Sequence, residues 1–240
     1  MEKLSISNRF RKGLSGQFSQ LIVFLLLLFI FRPVEGGVTF HLIWQFCFAG
    51  VLFSAIFNCH HSRLVKILGV MTGAPALLCN WTAFFIPDVW IVILGHSFGM
   101  FFLIVCTCSI LHMVIVRAKV TVETLRGAVC VYLMIGFFFT LLYTNIELLN
   151  SDAFFYSHRV NEMSSHSAYL SEMVYFSFVT LLSIGYGDVV PLAYYAQTLS
   201  ILEGVIGHFY LAILVARLVA VYSFREEKHL FLKHFEKKGK

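Results

Sequence analysis

The stretch AYLSEMVYFSFVTLLSIGYGDVVP, residues 168–191, decides how this chain is read. Residues 168–182 form an apolar run, with Ser171 and Glu172 near its start. A helix needs about 20 residues to cross a bilayer, so this run predicts a re-entrant helix, capped by Ser171 or Ser167. After residue 182 the chain cannot continue as a helix. For successive carbonyls to face one side, the backbone must alternate between right- and left-handed conformations, and only glycine visits the left-handed one without steric cost. Gly185 and Gly187 stand at the alternate positions that this geometry requires. Ile184 and Tyr186 fill the places between and send their side chains outward against the short helix. The carbonyls of Ser183, Ile184, Gly185 and Tyr186 then stack from the Ser183 hydroxyl at the inner end to Gly187 at the outer end. Such a stack can replace the water shell of a large, weakly hydrated monovalent cation. Non-helical backbone at membrane depth is tolerated only where protein buries it or where it lines water.

Around this stretch the chain is built for lipid. Of its 240 residues 59% are hydrophobic and 13% charged, whereas a soluble domain has about 45–50% and about 25%. A surface facing water could not be clothed in charge. The apolar runs predict spans at roughly 18–31, 38–57, 66–86, 89–116, 127–149 and 197–222. The expected fold class is an all-α membrane protein of six transmembrane helices plus a re-entrant pore helix and filter loop. Arg32, rather than a small-residue cleavage site, comes after the first run, which therefore reads as a retained span. Gly73 and Pro75 are placed to bend the third.

With the N-terminus inside, the cytoplasmic segments hold Lys3, Arg9, Arg11 and Lys12, then Arg63 and Lys66, then Arg117, Lys119 and Arg126, then a basic tail. The outer loops hold only Arg32 and Arg159, which satisfies the positive-inside rule. Both termini are expected in the cytoplasm and the Gly-Tyr-Gly-Asp loop on the outer side, in a cell or plasma membrane. The six cysteines lie in or beside apolar runs with no disulfide or zinc spacing and read as small packing residues.

The segment YFSFVTLLSIGYGDVVP, residues 175–191, resembles the pore helix and selectivity filter of tetrameric potassium channels. That signature usually reads Thr-Val-Gly-Tyr-Gly-Asp. Here Ser183 stands for the Thr and Ile184 for the Val, with Leu182 where a second Thr is frequent. Serine keeps the hydroxyl and isoleucine the β-branch, so the coordinating atoms are preserved. The resemblance implies a homotetramer whose four pore modules share one axis, with K+ as the permeant ion at Ser183, Ile184, Gly185 and Tyr186. Asp188, Tyr175, Val179 and Glu203 are expected to support the filter from behind. The likeness is specific over about 127–222; the first four spans match six-span channels in number and topology. The expected organisation is a cytoplasmic N-terminus (1–17), a four-helix transmembrane domain (18–116), a linker (117–126), a pore domain (127–222) and a basic tail (223–240).

Alignment from the filter places Gly207, with Gly204 a turn earlier, at the bend of many pore-lining helices. They read either as a gating hinge or as close-packing positions. His208 and Leu211 are then expected to line the inner cavity, and a histidine there suggests sensitivity to internal pH. Arg217 is read as snorkelling to the interface or pairing between subunits. A voltage sensor needs several Arg or Lys residues at three-residue spacing, and the fourth span has none between Val89 and Val116. Steep voltage gating is not expected. The tail alternates basic and apolar residues, as an amphipathic helix on the inner leaflet would, or a solvated end.

Two other readings bear on function. One is a poorly selective monovalent cation channel. The other is a haem-binding redox protein using His41, His96, His112 or His208. No phosphate loop, metal-protease motif or nucleophile elbow argues for an enzyme, and no cofactor is expected beyond the permeant K+. Lipid and other copies of the chain are the expected partners, with no nucleic acid. Neither a soluble regulatory partner nor a gating stimulus is identifiable from the residues.

Overall fold

Apolar residues on all sides of a helix suit a segment that meets lipid on one face and protein on the other. In the computed structural model, which describes residues 18–31, 38–58, 63–86, 88–116, 121–157 and 166–238, such segments form most of the helices. In chain order these are α1 (Ser19–Ile30), α2 (Val38–Asn58), α3 (Arg63–Phe85), α4 (Val89–Val116), α5 (Val122–Leu149), α6 (His166–Leu181) and α7 (Tyr194–Lys238). A two-stranded ribbon, β1 (Phe154–Tyr156) and β2 (Val189–Pro191), brackets α6. Among the described residues four segments are long and apolar enough to cross a membrane: α3, α4, α5 and Tyr194–Arg217 of α7. The expected spans at 18–31 and 38–57 appear as apolar helices, of which α1 and the segment Leu42–Phe57 are shorter.

Three boundaries differ from expectation. Helix α5 begins ahead of residue 127 because Thr121 caps it: Thr121 Oγ1 accepts from Thr124 N at 3.3 Å and Thr124 Oγ1 accepts from Thr121 N at 3.4 Å. Arg126 and Glu123 pair at 2.6 Å in the same first turn. Residues 122–126, assigned to the linker, are therefore helix. Helix α3 runs unbroken through Pro75. Helix α7 does not stop at 222 but continues to Lys238, so most of the expected tail is the end of that helix. The charges at 1–17, Arg32, Arg117, Lys119, Arg159 and the side chains of His41 and the tail lie outside the described residues, as does Cys59.

Helix α1 buries Leu21, Leu25 and Leu28, one face at helical spacing, among Trp44, Val51 and Leu52 of α2 and Val131 and Met134 of α5. Helix α4 buries Phe102, Cys106, Ile110 and Val114 at four-residue intervals in the same core. Its polar groups are tied inward: His96 Nδ1 lies 2.9 Å from Asn145 Oδ1 of α5. At the other end the Arg217 guanidinium donates to the Val114 carbonyl and, at 3.0 Å, to that of Ile115. A helix's last carbonyls have no intrahelical donor, and Arg217 supplies one. Those bonds tie the end of α4 to α7 within one chain. A second core joins Phe139 and Tyr143 of α5, Met173 and Phe176 of α6, Phe154 and Tyr156 of β1 and Val189 of β2.

Candidate ion-binding site

Helix α6 has 16 residues, a length of about 24 Å at 1.5 Å per residue, short of the roughly 30 Å hydrocarbon core. It begins at His166, so Ser171 lies inside the helix, buried, rather than at its cap. Its end is built by two bonds that close the last turn: Ser183 N donates to Thr180 O and Ile184 N to Val179 O, both at 2.9 Å. This pair is a Schellman stop, which needs a left-handed residue where Ser183 stands. Ser183 has φ 58°, with Gly185 at 61° and Gly187 at 78°, and no positive φ at Ile184 or Tyr186. The alternation thus begins one step earlier than the glycines announce. A non-glycine residue in this region costs about 1–2 kcal/mol, so a serine here trades backbone ease for a hydroxyl at the start of the loop. Val179 supports the loop through its carbonyl.

The second half of the loop is braced from two sides. Tyr175 of α6 donates to Asp188 Oδ2 at 2.6 Å, and its ring stacks on Tyr186 with centroids 6.4 Å apart and planes within 2°. The bond to Asp188, then burial, pushes the Tyr175 phenol up to about 12. Asp188 Oδ1 accepts from Val189 N at 3.1 Å, and the Asp188 carbonyl accepts from Ser157 N at 2.9 Å. Beyond it the ribbon pairs Phe154 with Pro191, Phe155 with Val190 and Tyr156 with Val189, antiparallel. Ile184 is half-exposed in the single chain and Tyr186 more so.

Behind the loop, Glu203 of α7 is fully buried and links three helices. Tyr143 of α5 donates to Glu203 Oε2 at 2.8 Å, and Ser177 Oγ of α6 lies 2.6 Å from Glu203 Oε1 and 2.8 Å from the Gly136 carbonyl of α5. Tyr132 of α5 donates to Leu181 O at 3.1 Å. Gly207 sits against that same carbonyl: a Cβ there would meet Leu181 Cδ1 at 2.8 Å and Leu181 O at 3.0 Å. Gly204 has nothing within 4 Å of the corresponding point. The two glycines differ in role, Gly207 permitting close approach to the end of α6 and Gly204 facing open space. His208 Nδ1 lies 3.3 Å from Ser183 Oγ, and Leu211 is exposed.

The structure therefore brings together Ser183–Asp188 with Tyr175, Val179 and His208 at the loop, and sets Glu203 behind it. Sequence reading missed Ser177, Tyr143 and the ribbon. Ser177, a hydroxyl inside an otherwise apolar run, was an available signal, whereas FFY at 154–156 alternates buried and exposed side chains only once folded.

A short helix ending in a left-right alternating loop is thus held between two membrane-length helices of a largely helical membrane protein. In agreement, residues 143–223 match a family model described as ion channel. The matched segment runs from the end of α5 through α6 and the loop into α7. It supports an ion-channel reading of this membrane protein. No curated protein and no solved structure matches the chain.

Proposed function

We propose that the chain is the subunit of a potassium-selective channel that conducts K+ passively across the plasma membrane as a homotetramer. The observation that carries this reading is the alternation of φ at Ser183, Gly185 and Gly187 within Ser-Ile-Gly-Tyr-Gly-Asp. Four such loops about one axis offer rings of carbonyl oxygen from Ser183 to Tyr186, in which a cation exchanges water for carbonyls. Adjacent rings hold ions that repel one another, so occupancy strong enough for capture still permits release. Gly187 and Asp188 close the outer end. The C-terminal, partially negative end of α6 favours a cation beneath the loop. The subunit has six spans, counting α1 and α2, with both termini in the cytoplasm and lipid around its exposed apolar side chains. Without Arg or Lys between Val89 and Val116, α4 is not a voltage sensor. Gly204 leaves the inner helix free to bend, and His208 and Leu211 face the cavity.

The test is purified protein in vesicles or planar bilayers with mixed K+ and Na+. The expected reversal potential tracks the K+ gradient. A potential indifferent to exchange of K+ for Na+ overturns the selectivity and leaves a poorly selective cation pore. A sample that carries no cation flux under any condition overturns the channel.

A further inference from the structure

The inner end of the loop carries a contact that carbonyl coordination alone does not use. His208 Nδ1 lies 3.1 Å from the Gly204 carbonyl oxygen and 3.3 Å from Ser183 Oγ. A carbonyl only accepts, so the contact with Gly204 assigns a hydrogen to Nδ1. Ser183 Oγ is then the second acceptor of that N–H. One of its lone pairs is engaged by the imidazole, its own hydrogen turns away, and its other lone pair remains for a cation. Neutral imidazole and imidazolium both carry this hydrogen, so the contact does not depend on charge.

This chain has a particular need of the contact. Two heavy atoms on Cβ hold a threonine stiffly at χ1, whereas a serine has three staggered wells and nothing of its own to choose among them. Ser183 is also the single non-glycine residue with positive φ among the described residues. The hydroxyl is thus both the innermost ligand offered by the loop and the one that its own side chain orients least.

We propose that His208 is a positioning residue for the innermost cation site, fixing the Ser183 hydroxyl so that its oxygen faces the ion and thereby setting that site's ion preference. This rests on the potassium-channel reading. The experiment uses the full chain in planar bilayers and measures inhibition by internal Ba2+, a divalent ion of K+ size, together with the Rb+/K+ permeability ratio. His208→Ala is expected to weaken Ba2+ inhibition about tenfold, the loss of roughly one hydrogen bond at a ligand. His208→Asn, whose amide nitrogen replaces Nδ1 as a donor, restores the wild-type value. In the Ser183→Thr background His208→Ala shifts inhibition less than about threefold, because the methyl group takes over the orienting role.

An unchanged Ba2+ inhibition in His208→Ala, or an equal shift with and without Ser183→Thr, overturns the proposal and leaves the potassium-channel reading intact. A wild-type channel without K+ selectivity overturns both. If His208→Ala does not assemble, the comparison of His208→Asn with His208→Leu decides: the proposal requires wild-type Ba2+ inhibition in the first and weakened inhibition in the second, and fails if the two agree.

Discussion

Replacing Glu203 tests how the three helices behind the loop are held. Ser177 has one hydroxyl hydrogen and two short oxygen contacts, 2.8 Å to Gly136 O and 2.6 Å to Glu203 Oε1. A peptide carbonyl cannot donate, so if Ser177 donates to Gly136, the hydrogen in the second contact belongs to the Glu203 carboxyl. The other oxygen accepts from Tyr143 at 2.8 Å. Glu203→Gln reproduces this pattern, with Nε2 donating to Ser177 and Oε1 accepting from Tyr143, and is expected to cost less than about 1 kcal/mol. Glu203→Ala leaves the buried Tyr143 hydroxyl without that acceptor. An unsatisfied buried hydroxyl costs about 1–3 kcal/mol, the low end applying if neighbouring Ser200 takes the hydrogen. The void left by the side chain adds about 1–2 kcal/mol. The sum, about 2–5 kcal/mol, changes a folding or assembly equilibrium by roughly 30-fold to several thousand-fold. The assay is denaturant resistance of the detergent-purified protein, with cation flux measured on the same preparations. Glu203→Gln as damaging as Glu203→Ala would refute the hydrogen count, because the contact would then require a full negative charge.

Gly207→Ala should destabilise the chain. The added Cβ, 3.0 Å from the Leu181 carbonyl, incurs an overpacking cost of about 1–3 kcal/mol that outweighs a helix gain of about 1 kcal/mol. Gly204→Ala gains stability instead, and chemical denaturation of both variants checks the contrast. Tyr175→Phe should hasten the decline of K+ current under steady conditions, since Asp188 loses its donor. The phenol's folded pKa, raised to about 12, lies above the unfolded value of about 10. Its contribution is therefore complete below about pH 10 and lost as pH rises through about 12. The phenolate absorbance of wild type minus that of Tyr175→Phe should show one group titrating near the upper value. Arg217→Lys should not replace Arg217, because an ammonium lacks the planar fork that reaches two carbonyls at once; lowered thermal resistance in Arg217→Lys, equal to that in Arg217→Met, is the expected measurement.

The parts legible in the sequence were those that backbone sterics or bilayer thickness dictate locally. Two glycines at alternate positions after a run too short to span led directly to the loop, and charge depletion marked the helices. Ser183 was not legible as the left-handed residue of a helix stop, because that role is usually glycine's and depends on the bonds to Val179 and Thr180. Glu203 was legible as an anomaly in an apolar helix, yet its partners Tyr143 and Ser177 lie on two other helices, and no periodicity in one helix points to another. The ribbon was hidden for a different reason: three residues of strand within a polar stretch acquire their order only from pairing with Val189–Pro191. Arg217 drew attention by its charge, but its partners are backbone carbonyls, which every residue carries and no sequence distinguishes.

The contact between Gly207 and Leu181 makes the inner helix a lever. From that point to Lys238 run 31 residues of unbroken α7, an arm of about 46 Å. A tilt of only about 5° about Gly207 would carry the far end through roughly 4 Å while leaving the base of the loop almost still. Arg217 grips the arm about 15 Å from the fulcrum. A force applied at the far end therefore reaches that brace multiplied about threefold.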